Sequence, residues 1–141
     1  MPDPAPPPTW IRTVDHAALA VSVAWLIALL LPGHAVGGRT CPATTPPLAV
    51  LLLVGLTALE ATLVAVPPRP RLALSIVALV LVLAATLAMV SHGLAHHFHL
   101  FQRTTPLVGE QVLPWLLLLS FALAIVQIVG AAILRRRQRA G

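Results

Sequence analysis

The sequence predicts an all-α integral membrane protein, four transmembrane helices in one small bundle. Three observations carry that expectation. Of 141 residues, 58% are hydrophobic and 9% are charged. Mean hydropathy is +0.93. Four separate stretches reach the roughly 20 apolar residues that cross a bilayer. Soluble domains carry about 25% charged residues, so this chain lacks the charge to cover a wet surface. The same hydrophobicity excludes a disordered chain.

Each span is bounded by proline or charge. The first is expected over about residues 14–31, closed by Pro32. Its flanking Gly33-His34-Ala35 is a weak cleavage signal, so we read it as a transmembrane helix and not as a leader. The second is expected over 48–66, opened by Pro46-Pro47. Pro67-Pro68-Arg69-Pro70 makes a tight turn into the third, over 72–91. The fourth is expected over about 112–134, with Pro114 in its first turn, where a missing N–H costs least. Residues 1–141 thus read as a single membrane domain. The Pro-rich start, Pro2 to Pro8, reads as a stiff lead-in.

Arginine sets the expected orientation. All nine basic residues are arginine. With the N-terminus in the cytoplasm, Arg12, Arg69, Arg71, Arg135, Arg136, Arg137 and Arg139 lie inside, and only Arg39 and Arg103 lie outside. Both termini are therefore expected in the cytoplasm, in the cell membrane. The C-terminal run Arg135, Arg136, Arg137 and Arg139 reads as a topology anchor facing anionic lipid, not as a nucleic-acid patch. Trp10 and Trp115 then fall at opposite interfaces. Small four-helix multidrug transporters and fluoride channels share this length and span count, but many pair antiparallel and carry little arginine bias. Seven against two argues for one fixed orientation.

Beyond the third span, four of the six histidines fall within eight residues, at His92, His96, His97 and His99. If the helix continues, His92, His96, His99 and Arg103 share one face, while Leu94, Phe98 and Phe101 share the other. This predicts an amphipathic extension outside the cytoplasm. Imidazoles four apart on a helix chelate Zn²⁺ or Cu²⁺, and His34 would add a ligand from the same side. Haem held between His34 and His92 is a further possibility. The simpler alternative is a polar face on an interfacial helix. The lone cysteine, Cys41, excludes an internal disulfide and any CxxC motif.

Glu60 lies inside the second span, about 18 Å along a helix starting at Leu48. An acid at that depth must be protonated, paired or turned into the bundle. Gln127 lies at a similar depth, about 20 Å into the fourth span, and Ser22 reaches nearly the same level. We expect Glu60, Gln127 and Ser22 to meet inside the bundle. Ser120, Ala124, Gln127 and Ala131 form a small, polar stripe suited to close packing, as do Ala20/Ala24/Ala28, Ala61/Ala65 and Ala84/Ala88. Glu60 then either handles a proton or cation, or fixes helix register as a hydrogen-bonded acid. No intramembrane arginine is expected to pair with it. Asp15 and His16 are adjacent at a helix mouth and point apart, so no catalytic dyad is expected.

No GxSxG, HExxH or phosphate-binding glycine loop is present, and only Asp3, Asp15, Glu60 and Glu110 are acidic. An enzyme is therefore not expected. The sequence favours an accessory subunit or assembly factor of a larger membrane complex, with lipid and other membrane subunits or its own copies as partners. Two alternatives stand beside it. One is a Cu/Zn- or haem-binding protein using His34, His92, His96 and His99. The other is a small oligomeric transporter built on Glu60.

Overall fold

The computed structural model describes residues 8–36, 39–42, 46–65, 70–99, 105–106 and 108–140. Its helices are α1 (Thr9–Leu30), α2 (Pro47–Ala65), α3 (Arg71–His99) and α4 (Val108–Ala140). All four contain a stretch long and apolar enough to cross a membrane.

Proline starts three of the helices by supplying a carbonyl. The Ile11 N–H donates to Pro8 O at 3.1 Å, Ala49 N–H to Pro46 O at 2.9 Å, and Leu74 N–H to Pro70 O at 3.1 Å. A proline at a helix start has no N–H to orphan, and its φ already suits the first turn. Pro32 follows the end of α1, where Leu31 leaves the helical region. Hydroxyls inside the spans mostly return to their own helix: Thr57 donates to Leu53 O at 2.9 Å and Thr86 to Val82 O at 2.7 Å. Such bonds satisfy a polar group where no water is available.

The helices pack as a ring: α1 on α2, α2 on α3, α3 on α4, and α4 back on α1. Each turns the same kind of stripe inward. On α1 it is Ile11, Asp15, Ala18, Ser22, Trp25 and Ala28; on α2, Ala49, Leu53, Leu56, Glu60 and Leu63. On α3 it is Arg71, Ser75, Ala78, Val82 and Ala85; on α4, Ser120, Ala124, Gln127, Ala131 and Leu134. Spacings of four and three recur in all of them, the 3.5-residue repeat of supercoiled bundles. The inward residues mix alanine and polar side chains with larger apolar ones such as Trp25 and Leu53, and many of the exposed residues are large and apolar, among them Leu30, Leu51, Leu87 and Trp115. That is the membrane pattern, in which lipid covers the apolar faces and small residues let helices approach. The central contact joins Trp25, Leu53, Leu56, Ala78, Val82 and Ala85.

Several expectations need correction. α1 begins five residues before the expected residue 14, because Ile11 is buried and extends the inward stripe. α4 begins at Val108, so Pro114 lies inside the helix instead of in its first turn. Pro114 is exposed, so its missing N–H disturbs an outward face. Of the alanine stripes, the one on α2 lies outside the bundle's inward face: Ala61 and Ala65 are exposed. On α1 Ala28 is buried but Ala20 is exposed, and on α3 the buried alanines are Ala78 and Ala85.

Three short strands, which the helical periodicity does not foresee, join the helix ends opposite the start of α1. They are β1 (Pro32–Val36), β2 (Arg39–Pro42) and β3 (Thr105–Pro106), in the order β2-β1-β3. Val36 pairs with Arg39 and His34 with Cys41, with an irregularity between Pro32 and His34. β3 pairs His34 with Pro106, which places β1 beside the start of α4. α3 stays helical through His99, so the backbone carries the expected extension past the span.

Candidate functional site

One side chain from each helix meets in a buried polar cluster: Asp15 from α1, Glu60 from α2, Arg71 from α3 and Gln127 from α4. Arg71 donates from Nη2 to Asp15 Oδ2 at 2.6 Å, an ion pair whose side chains are 5% and 4% exposed. The same nitrogen donates to the Leu63 carbonyl at 2.7 Å. Gln127 donates from Nε2 to Glu60 Oε2 at 2.7 Å, with Asp15 Oδ1 at 3.4 Å. All four residues are at most 4% exposed.

The local sequence explains the Arg71 geometry. Leu63 lies in the last turn of α2, where carbonyls lack helical donors. The residue four positions on is Pro67, which has no N–H to give. Arg71 supplies that donor, and its positive charge sits favourably at a helix C-terminus. A guanidinium carries donors in a fixed fork, so it bridges a carbonyl and a carboxylate at once. Arg71 therefore fastens α1, α2 and α3 together, and Gln127 adds α4.

The cluster lies toward the end of the bundle where α1 starts, α2 stops and α3 starts. Glu60 is five residues from the end of α2, about 8 Å along the axis. Two buried polar atoms have no partner: Arg71 Nε and Gln127 Oε1. Among the described residues, no cation stands within 4 Å of the Glu60 carboxyl. The cluster thus holds two carboxyls and one guanidinium, and the guanidinium is paired with Asp15.

The other end of the bundle is apolar. Trp25 donates from Nε1 to Ser120 Oγ at 3.0 Å, and Ser120 donates onward to Leu116 O at 2.8 Å. Beside this pair a cleft of about 260 Å³ opens, lined by Trp25, Thr86, Met89, Leu113 and Leu117 among others. No cluster residue lines it.

Of the residues singled out from the sequence, Glu60 and Gln127 are joined by a hydrogen bond. Ser22 is buried on the same inward stripe, but its hydroxyl donates to Leu19 O at 2.8 Å. Arg135, Arg136, Arg137 and Arg139 are exposed on the last turns of α4. The side chains of His34, His92, His96 and His99 lie outside the described residues. Among the described residues, no group of three or more His, Cys, Asp and Glu is placed to hold a metal ion. His16 turns away from Asp15, its Nδ1 lying 2.7 Å from Arg12 O.

Sequence reasoning missed Asp15 and Arg71, and it denied an arginine partner inside the bundle. The signal was available in the spacing. Asp15 lies seven residues before Ser22, so an inward Ser22 carries Asp15 inward as well. Arg71, Ser75 and Ala78 repeat the same spacing at the start of α3. Counted only as a loop charge, Arg71 is in fact 4% exposed and ion-paired.

Fold and cluster together define a multi-pass membrane protein, a four-helix bundle tied at one end by buried polar side chains. No family model, curated protein or solved structure matches this chain.

Proposed function

We propose that this protein is an accessory subunit or assembly factor of a larger membrane complex, seated in the cell membrane with both termini in the cytoplasm. One observation carries the reading. The polar side chains Asp15, Glu60, Arg71 and Gln127, buried at one end of the bundle, bond to one another and tie the four helices, while the large outward residues are apolar on every helix. A bundle so built holds its shape and offers lipid and neighbouring subunits a continuous apolar surface. The arginine bias supports the orientation even without Arg71, whose charge Asp15 balances. Six arginines then stand against two.

A second reading keeps the histidine face as a site for Cu, Zn or haem. It is favoured by the unbroken helix through His99, over which the four-three spacing of His92, His96 and His99 holds one face. The transporter reading built on Glu60 draws less support, because the apolar cleft opens at the far end of the bundle from Glu60.

Native mass spectrometry of protein released gently from its own membrane separates the first two readings. Additional polypeptides in fixed ratio are expected. A lone chain or homo-oligomer contradicts the accessory role. If such a species carries a metal or haem mass that the paired His92→Ala and His96→Ala variant loses, the histidine reading replaces it.

A further inference from the structure

We propose that the Asp15–Arg71–Gln127–Glu60 cluster is a binding site for one proton, held on the Glu60 carboxyl and set by the balance of charge around it. Each helix brings one group to the account. α1 brings the Asp15 carboxyl and α3 the Arg71 guanidinium, which are paired at 2.6 Å. α4 brings Gln127, which has no charge, and α2 brings Glu60 itself. His16 and Arg12 on α1 are exposed, and the arginines at the end of α4 are exposed beyond the cluster. Arg71 is committed to Asp15 and to Leu63 O, so Glu60 meets only the Gln127 amide.

An unbalanced carboxylate inside a bilayer-spanning bundle is expensive, and one bound positive charge removes it. A proton fits better than a metal ion. Hard cations need six or more oxygen ligands at 2.0–2.6 Å, roughly. Here three of the four carboxylate oxygens and one carbonyl already accept bonds from Arg71 and Gln127. The unpartnered Gln127 Oε1 and Arg71 Nε, both on side chains buried beyond nine-tenths, mark a site still able to accept and donate hydrogen bonds. Binding is a plain acid–base step: Glu60 carboxylate takes H⁺ to become a neutral acid, and no bond elsewhere changes. Glu60 lies about 8 Å from the end of α2, so exchange runs toward the end of the bundle where α3 begins.

Asp15, and not burial alone, decides whether Glu60 holds the proton. With Asp15 neutral, Arg71 is free to balance Glu60 and the proton is no longer required. Infrared spectroscopy of the full chain in lipid vesicles at about pH 7 reads this through the carboxylic-acid C=O stretch, at a pH where a solvated glutamate is ionised. The wild type is expected to show one such band per chain. ¹³C-glutamate labelling should shift it without any mutation, since the chain has only two glutamates, Glu60 and Glu110. Glu60→Gln should abolish the band, Glu110→Gln should leave it, and Asp15→Asn should abolish it with Glu60 intact. A wild type without the band overturns the proposal, including one that binds sodium instead. A band that survives Asp15→Asn in a folded protein overturns the charge-balance rule. If Asp15→Asn does not fold, the labelled wild type decides alone.

Discussion

Asp15 and Arg71 show how a pair of charges is kept inside a membrane protein. Each would be costly alone, and removing one partner of a buried pair leaves an uncompensated charge worth about 3–5 kcal/mol. Glu60 and Gln127 were legible as an inward pair, because a lone acid and a lone amide at matching depth in apolar helices have few other places to go. Asp15 and Arg71 were less legible. Both sit at span ends, where charge is ordinarily solvated, and only the heptad spacing marks them as inward. A smaller residue-scale effect is expected at the other end. Ser120→Ala removes the acceptor for the buried Trp25 indole N–H, and an unsatisfied buried donor costs about 1–3 kcal/mol. Reversible unfolding in mixed micelles should register that loss, and Ser120→Thr should recover most of it. No loss in Ser120→Ala would mean the indole finds another partner.

At the scale of the helices, the phase of each inward stripe decides what packs. The alanine pair Ala61 and Ala65 on α2 faces outward, and alanine alone does not decide this, because it is acceptable to lipid as well as to a neighbouring helix. The stripe on α4 was legible because it mixes serine, alanine and glutamine, a combination lipid does not favour. The strands were not legible, since they are too short for a period-two pattern and contain Pro32, Pro42 and Pro106. Gly130 makes the packing test concrete. A Cβ there would meet Trp10 Cη2 at 3.1 Å and Ile11 Cγ1 at 3.4 Å, so α1 lies close against α4 at this point. Gly130→Leu is expected to force the two helices apart at about 1–3 kcal/mol, the usual range for overpacking. Gly55→Leu is the matched control, because Gly55 is exposed and a Cβ there meets nothing within 4 Å. Comparable losses from both would show that the α1–α4 contact is not what Gly130 protects.

At the scale of the molecule, the two ends of the bundle are chemically different. One end is closed by the Asp15–Arg71–Glu60–Gln127 cluster, and the other holds the Trp25–Ser120 pair beside an apolar cleft. Four helices long and apolar enough to cross a membrane were legible because proline and charge punctuate them. The ring order and the Asp15–Arg71 half of the cluster were not, because they depend on which helix faces which. Arg71 is the tie that closes the polar end, joining α1 to α3 and stopping α2. A double-mutant cycle on unfolding free energy tests this most directly, with Arg71→Gln, Asp15→Asn and the pair. Arg71→Gln is expected to cost about 3–5 kcal/mol and Asp15→Asn less, since Arg71 then balances Glu60; the pair should cost clearly less than the sum. Single losses below about 1 kcal/mol, as for exposed ion pairs, or losses that simply add, would contradict it.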